Sequence, residues 1–305
     1  MSLPKLSKLA SWRDLQIWGK PKERVSAFAR LTDMSNLAAT ARYRHIQSLH
    51  ESNDRRNPDI LAGALMTPEE HELCFRLDAE TLVKMRKTPY YYYLTARTKF
   101  YDQLLLDAVV AGVRRVLIVG AGFDTRLYRF GGHLAACGVE VAECDQPEAM
   151  KIKKQLAKTL PYSERVQYLS ADLNREDTWN ELSDWLGAGD AHPVLVFAEG
   201  VSPYVESSAF LSFLTALASL MPSDSWLAYD FKRRGAADNF GATGDILSPF
   251  RLPLDEELIK DQHTSLGFKG ASLTPSLALM KSHVPSWSEE VSQLFDEDAL
   301  VQVRC

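Results

Sequence analysis

The stretch that decides the fold is Val116-Leu117-Ile118-Val119-Gly120-Ala121-Gly122-Phe123-Asp124-Thr125-Arg126. Its first four residues form a continuous apolar run, which is typical of a strand buried on both faces of a parallel sheet. The two glycines that follow let the backbone turn tightly and approach a ligand without a Cβ in the way. Because open α/β sheets bind ligands at the carboxyl ends of their strands, this stretch predicts a ligand-binding turn.

Outward from this stretch, short apolar runs alternate with helical patterns. Further strands are expected at 139–142, 166–169, 194–197, 226–229, 265–273 and 299–305, and helices at 147–160, 177–186 and 208–221. This alternation with short connections predicts an α/β fold with a doubly wound, mostly parallel sheet of seven strands.

The residues before the first strand have a different pattern. Helical spacing is visible at 24–31, 35–49 and 67–85, and a further helix is expected from about 94 to 111. We therefore divide the chain into a helical N-terminal lid, residues 1–95, and a core, residues 96–305. The core contains an insertion at about 233–262, whose Gly-rich sequence is typical of a mobile flap.

Composition excludes several classes of function. The net charge of −5 gives no electrostatic reason to bind nucleic acid, which is recognised by clustered Lys and Arg. No apolar stretch is long enough to span a bilayer, and the N-terminus lacks the apolar segment of a signal peptide. The four cysteines are scattered without metal-type spacing. We therefore predict a cytoplasmic protein without a metal site, acting on neither membranes nor nucleic acids.

Acidic residues end the strands that follow the glycine turn. The second strand ends in Glu143-Cys144-Asp145, and either carboxylate suits a ribose diol, because both side chains leave an extended strand on the same face. Asp172 after the third strand suits an adenine amino group, and Glu199 follows the fourth. Each acid alone is more often a helix cap or a loop tip. The set at one sheet edge indicates a cofactor that contains a nucleoside.

Two such cofactors compete, a nicotinamide dinucleotide and S-adenosylmethionine. A dinucleotide needs a third glycine where this chain has Thr125, and a pyrophosphate would have to lie beside Asp124. An acid there repels phosphate and is compatible with a sulfonium cofactor that carries none. The turn therefore favours S-adenosylmethionine.

Four blocks of sequence resemble the leucine carboxyl methyltransferase family, which includes bacterial polyketide and other small-molecule O-methyltransferases. They are Thr95-Ala96-Arg97-Thr98-Lys99-Phe100-Tyr101-Asp102, Val119-Gly120-Ala121-Gly122-Phe123-Asp124-Thr125-Arg126, Glu143-Cys144-Asp145-Gln146-Pro147 and Glu199-Gly200-Val201-Ser202-Pro203-Tyr204. The resemblance extends from about residue 35 to 229 and implies the class I, Rossmann-like methyltransferase fold.

The resemblance also implies a role for each matching residue in binding S-adenosylmethionine. The cofactor's carboxylate would pair with Arg97, its amino group would face Glu199, and the turn would pass beneath it. The residues implied for the turn and the nucleoside are Gly120, Ala121, Gly122 and Asp124 beneath the cofactor, Asp145 at the ribose, and Gln146, Asp172 and Leu173 around the adenine.

The acceptor is expected to be a small molecule, bound beside the segment after the fourth strand. Tyr204 is the candidate for orienting it, and Val201, Tyr91 and Tyr93 are candidates for lining its pocket. For Tyr204, packing in the core with a satisfied hydroxyl is an equally good interpretation. For the run 90–93, the equally weighted alternative is that its side chains alternately pack in the lid and face water. A carboxylate acceptor is already ionised and needs no base. A phenol or enol acceptor, the C-terminal carboxylate of a protein and, as a distant fourth, nicotinamide-dependent dehydrogenation are the alternatives.

Overall fold

The predicted central strand is present as β1 (Arg115–Val119), and all five of its residues are buried. The computed structural model describes residues 38–88, 90–187, 192–236, 248–289 and 295–305. The helix predicted at 24–31, the first residues of the one at 35–49 and the centre of the insertion at 233–262 lie outside these ranges.

The other strands of the sheet are β2 (Glu140–Asp145), β3 (Val166–Ser170), β4 (Val194–Ala198), β5 (Trp226–Arg233), β6 (Arg251–Leu252), β7 (Gly270–Pro275) and β8 (Asp298–Arg304). In the described residues, seven of the strands follow the order β3-β2-β1-β4-β5-β8-β7, and the two-residue strand β6 pairs with β5. Among them β8 runs opposite to all the others, so its pairings with β5 and β7 are antiparallel and the other pairings are parallel. The strand order reverses beside β1, which places the switch point at the glycine turn.

Helices cover both faces of the sheet. Val116 and Ile118 of β1 face one apolar cluster, and Leu117 and Val119 face the other. The α-helices of the described residues are α1 (Ala39–His50), α2 (Pro68–Phe75), α3 (Ala79–Arg86), α4 (Tyr90–Val110), α5 (Arg126–Arg129), α6 (Gly131–Ala136), α7 (Pro147–Leu156), α8 (Asn180–Gly187), α9 (Ser207–Leu220), α10 (Glu256–Ser265) and α11 (Ser276–His283). Helices α4, α6, α7 and α11 contribute to the first cluster, and α8, α9 and α10 to the second.

The strand predicted at 265–273 was placed too early. Ser265 is the last residue of α10, and the chain then turns at Gly267, whose φ is +106°. A glycine in this conformation ends many helices because it has no Cβ to clash. The strand β7 therefore begins only at Gly270.

Helix α4 begins four residues earlier than its sequence pattern predicts and continues through residue 95, where we placed the end of the lid. Tyr91, Tyr92 and Tyr93 are fully buried, so tertiary packing stabilises a helical start that the aromatic run itself does not favour. Helical spacing aligns Tyr93, Arg97 and Tyr101 along one side of α4. No helix in the part of the chain described is both long and apolar enough to cross a bilayer.

Candidate active site

The glycine turn connects β1 to α5 at the carboxyl edge of the sheet. Gly120 has φ of +64° and Gly122 φ of +40°, a region that residues with a Cβ rarely adopt. A Cβ on Gly120 would lie 2.3 Å from Cγ2 of Val201. The turn therefore requires glycine for its backbone angles and also for its contact with the segment after β4.

Asp145 lies beside this turn, at the end of β2. Its Oδ2 accepts a hydrogen bond from the backbone N–H of Gly122 at 2.7 Å, and its Oδ1 accepts from the N–H of Gln146 at 2.7 Å. Burial raises the pKa of Asp145, which these two donors oppose. Glu143 is on the same strand face but fully buried, so Asp145 is the acid that reaches the edge. The side chain of Gln146 is exposed.

A buried cluster of charges connects α4 to the ends of β4 and β5. Arg97 contacts Oε1 of Glu199 through Nε at 2.9 Å, and Oδ2 of Asp230 through Nη1 at 2.9 Å. Glu199 also pairs with Arg126, at 2.7 Å. Burial disfavours the charge on Glu199, but Arg126 and Arg97 hold the pKa of this carboxyl below its usual range. Asp230 accepts from the backbone N–H of Gly200 at 2.5 Å.

A single arginine, Arg97, thus contacts both the residue that follows β4, Glu199, and a residue within β5, Asp230. Its Nη2 makes no hydrogen bond to any residue within the described ranges, and it lies 3.7 Å from the place a Cβ of Gly200 would occupy. Arg97 therefore retains a donor group beside the loop after β4.

Asp124 is directed into the protein and away from the edge. Its carboxylate contacts the guanidinium of Arg126 and accepts from the Arg126 backbone N–H at 2.7 Å. Arg126 is fully buried and also pairs with Asp102 at 2.9 Å. The side chain predicted to lie under the cofactor thus secures the end of the turn.

The residues after β3 connect the predicted adenine side to the acceptor side. Asp172 is half-buried and accepts from the backbone N–H of Asn174 at 3.0 Å, while Leu173 is buried. The Asn174 side chain donates to the carbonyl of Tyr204 at 3.3 Å and accepts from the N–H of Glu206 at 2.8 Å.

The predicted acceptor residues do not all come together. Tyr93 faces the site: the Arg97 guanidinium lies 5.5 Å from its ring centroid, and its buried hydroxyl has no hydrogen-bond partner among the residues that the structure describes. Tyr91 lies on another side of α4, and its hydroxyl donates to Glu51 at 3.0 Å. Val201 is buried against the glycine turn, and Tyr204 is 37% exposed.

Two features of the site were absent from the sequence prediction. Asp230 directly follows the run 226–229 that was predicted as a strand, so an acid after that run was the available signal, although β5 itself continues to Arg233. Lys153 is part of the basic run Lys151-Ile152-Lys153-Lys154, which is typical of the solvated face of a helix, yet it is 1% exposed and its ammonium group contacts the turn. The available signal was helical spacing, because Lys153 lies three residues after Met150 and three before Leu156, on the apolar face of α7.

Comparisons with known proteins agree with this arrangement. The sequence profile described as leucine carboxyl methyltransferase matches residues 38–218. The chain is 32% identical over 153 residues to a "putative S-adenosyl-L-methionine-dependent methyltransferase" of Mycobacteroides abscessus, covering 50% of this chain and 46% of that protein. A relative of the same description in Frankia alni is 26% identical over 71% of this chain and 76% of its own length. The matched part of this chain thus spans less than half the length of the Mycobacteroides abscessus protein.

The fold is shown by a solved structure. A putative methyltransferase from Thermobifida fusca superimposes with a TM-score of 0.52 at 11% identity, covering 87% of this chain and 93% of that one. Together with the strand order, this establishes the class I methyltransferase fold predicted from the sequence. Because the family profile covers more than half of its residues, this chain belongs to the leucine carboxyl methyltransferase family.

Proposed function

We propose that this protein is an S-adenosylmethionine-dependent O-methyltransferase that converts a carboxylate of a small molecule to its methyl ester. The observation that carries the proposal is the placement of Arg97 and Glu199 on one side of the glycine turn and of Asp145 on the other. S-adenosylmethionine has a carboxylate and an ammonium group at one end and a ribose diol at the other. The names of the relatives in Mycobacteroides abscessus and Frankia alni support the same cofactor.

The residues present fit this cofactor. The Nη2 group of Arg97 is available for a carboxylate, and each oxygen of Glu199 keeps a lone pair beyond its contact with an arginine. Asp145 is only half-buried and can accept from a diol. The turn brings backbone rather than side chain to the ligand, and we assign Asp172, Leu173 and Gln146 to the adenine side.

The protein's contribution to methyl transfer is positional. Bound S-adenosylmethionine would supply a methyl group attached to a positively charged sulfur, and this sulfur is the leaving group, as a neutral thioether. The protein has to hold the acceptor oxygen in line with that methyl group and keep water out. Arg97, Glu199 and Asp145 fix the two ends of the cofactor. Tyr204, beside the loop after β4, would orient the acceptor; burial raises the pKa of its hydroxyl, which stays a hydrogen-bond donor.

Calorimetric titration tests the cofactor. Wild type should bind S-adenosylmethionine and S-adenosylhomocysteine but not NAD, and Asp145→Ala should lose at least tenfold in affinity. Glu148→Ala removes an exposed carboxylate three residues away and should bind like wild type. Binding of NAD instead of S-adenosylmethionine would contradict the proposal.

Transfer of a labelled methyl group to panels of carboxylic acids, phenols and peptides with free C-terminal carboxylates tests the acceptor. Ester products release methanol in mild base, whereas ethers do not. A labelled ether, with no labelled ester, would exclude the carboxylate assignment. Tyr204→Phe should raise KM for the acceptor and leave KM for S-adenosylmethionine unchanged.

A hydroxyl acceptor is the second candidate, and Asp298 is the observation that favours it. This carboxyl is 4% exposed on β8, opposite Lys232 of β5 and on the same sheet face as Asp230. Burial raises its pKa to about 7, although Lys232 lies 3.8 Å away. Asp298 is suited to accept the proton of an acceptor O–H while the oxygen bonds to the methyl carbon and the carbon–sulfur bond electrons go to sulfur.

The pH dependence of the rate separates these two candidates. With a hydroxyl acceptor, kcat should fall below about pH 7 in wild type, and Asp298→Asn should lower the rate and lose this dependence. With a carboxylate acceptor, kcat should not fall below about pH 7.

All four cysteines are free thiols, and Cys74 and Cys144 are buried. Free thiols favour a reducing compartment, so the cytoplasm is the location we propose.

A further inference from the structure

Lys153 is the one lysine of its helical run that enters the protein. Its neighbours Lys151 and Lys154 are exposed. Its ammonium group donates to the carbonyl of Gly122 at 3.0 Å and to that of Asp124 at 2.7 Å, and contacts Oε1 of Glu143 at 3.1 Å. The ammonium group thus makes two hydrogen bonds to the turn and one ion-pair contact to Glu143.

Glu143 is the buried counter-ion of this lysine. Its second oxygen accepts from the hydroxyl of Tyr128 at 2.8 Å, and that hydroxyl lies 3.2 Å from the hydroxyl of Tyr168. Removing an ion pair from water costs several kcal/mol per ion, and an apolar pair of similar volume is often as stable or more so. The stability of the fold alone therefore does not account for an ion pair at this position.

The ion pair does account for the shape of the glycine turn. Gly122 has φ of +40°, and both polar groups of its backbone are held. The N–H donates to Asp145 on the cofactor side, and the carbonyl accepts from Lys153 on the opposite side. These two groups belong to the two peptide units on either side of the Gly122 Cα, so Asp145 and Lys153 together fix the φ and ψ of this glycine. If Lys153 were absent, the peptide between Gly122 and Phe123 would be free to rotate, and the conformation that directs the Gly122 N–H toward Asp145 would no longer be held from both sides.

Neighbouring carbonyls of the turn are held in the same way by other donors. The carbonyl of Ala121 accepts from the N–H of Asp124 at 2.7 Å, and that of Phe123 accepts from Nη2 of Arg44 at 2.9 Å. Lys153 holds two of the four carbonyls between 121 and 124, more than any other single side chain in the described part of the protein.

We propose that Lys153, with Glu143 as its counter-ion, is a positioning residue that fixes the glycine turn in the conformation that binds the cofactor. The inference rests on the proposed function, because it assumes that S-adenosylmethionine binds over this turn. Lys153 does not touch the ligand in this arrangement. Its loss therefore reduces cofactor affinity through Gly122 and Asp145.

The first experiment compares Lys153→Met with Lys151→Met by calorimetric titration of S-adenosylhomocysteine. Both variants lose one positive charge from the same helix, but only the first frees the two carbonyls. Lys153→Met should raise Kd tenfold or more, and Lys151→Met should bind like wild type. Equal affinity of Lys153→Met and wild type would overturn the proposal.

A second variant separates positioning from folding. Lys153→Met alone leaves Glu143 buried without its counter-ion and is expected to lower Tm, whereas Lys153→Met combined with Glu143→Gln buries no charge there. The double variant should recover most of the lost Tm and still bind S-adenosylhomocysteine at least tenfold more weakly than wild type. Wild-type affinity in the double variant would overturn the proposal. If wild type itself failed to bind S-adenosylhomocysteine, the proposed function would fall instead.

Discussion

Arg97 shows how strongly one residue of this site depends on its partners. It is buried between Glu199 and Asp230, and each of these carboxylates would be left without that partner if the arginine were removed. Breaking a buried pair by removing one member typically costs about 3–5 kcal/mol. The residue that we propose binds the cofactor's carboxylate is therefore also a residue on which the fold depends.

Arg97→Met should accordingly lower the free energy of unfolding by about 3–5 kcal/mol in urea denaturation. Arg175→Met, which removes an exposed arginine paired with Asp177, should leave the unfolding curve unchanged. A loss of cofactor binding without destabilisation would show that Glu199 and Asp230 do not need Arg97 in the folded protein.

Glu143 should make stability depend on pH. Burial raises its pKa to about 7, against an ordinary value of about 4.3, although Lys153 and Tyr128 favour the charged form. A carboxyl whose folded pKa is raised stabilises the protein fully below its unfolded pKa, and this stabilisation is lost as the pH rises through 7. Between pH 4 and pH 8, the free energy of unfolding of wild type should fall by on the order of 3 kcal/mol relative to that of Glu143→Gln. The control Glu148→Gln, at an exposed position, should show the same dependence of unfolding free energy on pH as wild type. If the unfolding free energies of wild type and Glu143→Gln changed in parallel with pH, the prediction would be contradicted.

At the scale of elements, the contact between the turn after β1 and the segment after β4 is set by Gly120. Gly120→Ala should destabilise the protein for two reasons. The positive φ costs about 1–2 kcal/mol of backbone strain for a residue with a Cβ, and the new Cβ would clash with Val201. Gly138→Ala is the matched control, because its φ of +66° is nearly the same and nothing lies within 4 Å of its Cβ position.

Chemical denaturation of the two variants measures the difference. Gly120→Ala should be clearly less stable than Gly138→Ala, and adding Val201→Ala should recover part of the extra loss. Equal losses in the two single variants would mean that the loop after β4 moves aside at little cost.

The whole molecule should become more stable when the cofactor binds, because the site joins loops from β1, β2, β3 and β4. A ligand that binds only the folded state at one hundred times its Kd adds about 2.7 kcal/mol. For a chain of 305 residues this corresponds to a rise in Tm of roughly 4 °C. S-adenosylmethionine should produce this shift in wild type, Asp145→Ala should show a smaller one, and NAD should produce none.

The sequence by itself determined the sheet and the edge at which the site lies. Buried strands appear as continuous apolar runs such as 116–119, and the turn appears as glycines directly after one of them. Both signals are local, because burial on two faces and a positive φ constrain the residues at those positions themselves. The acids at the ends of β2, β3 and β4 followed from the same strand boundaries.

Only the tertiary structure decided which charged side chains are buried and what they contact. Arg97 and Asp230 are 133 positions apart, and the spacing that puts Lys153 on the apolar face of α7 does not identify the carbonyls and the carboxylate that its ammonium group contacts. Tyr91 and Tyr93 are two residues apart on α4, yet one contacts Glu51 and the other faces the site. A buried charge or hydroxyl is tolerated only where distant elements supply its partners, and those partners are brought together by the packing of the sheet and its helices.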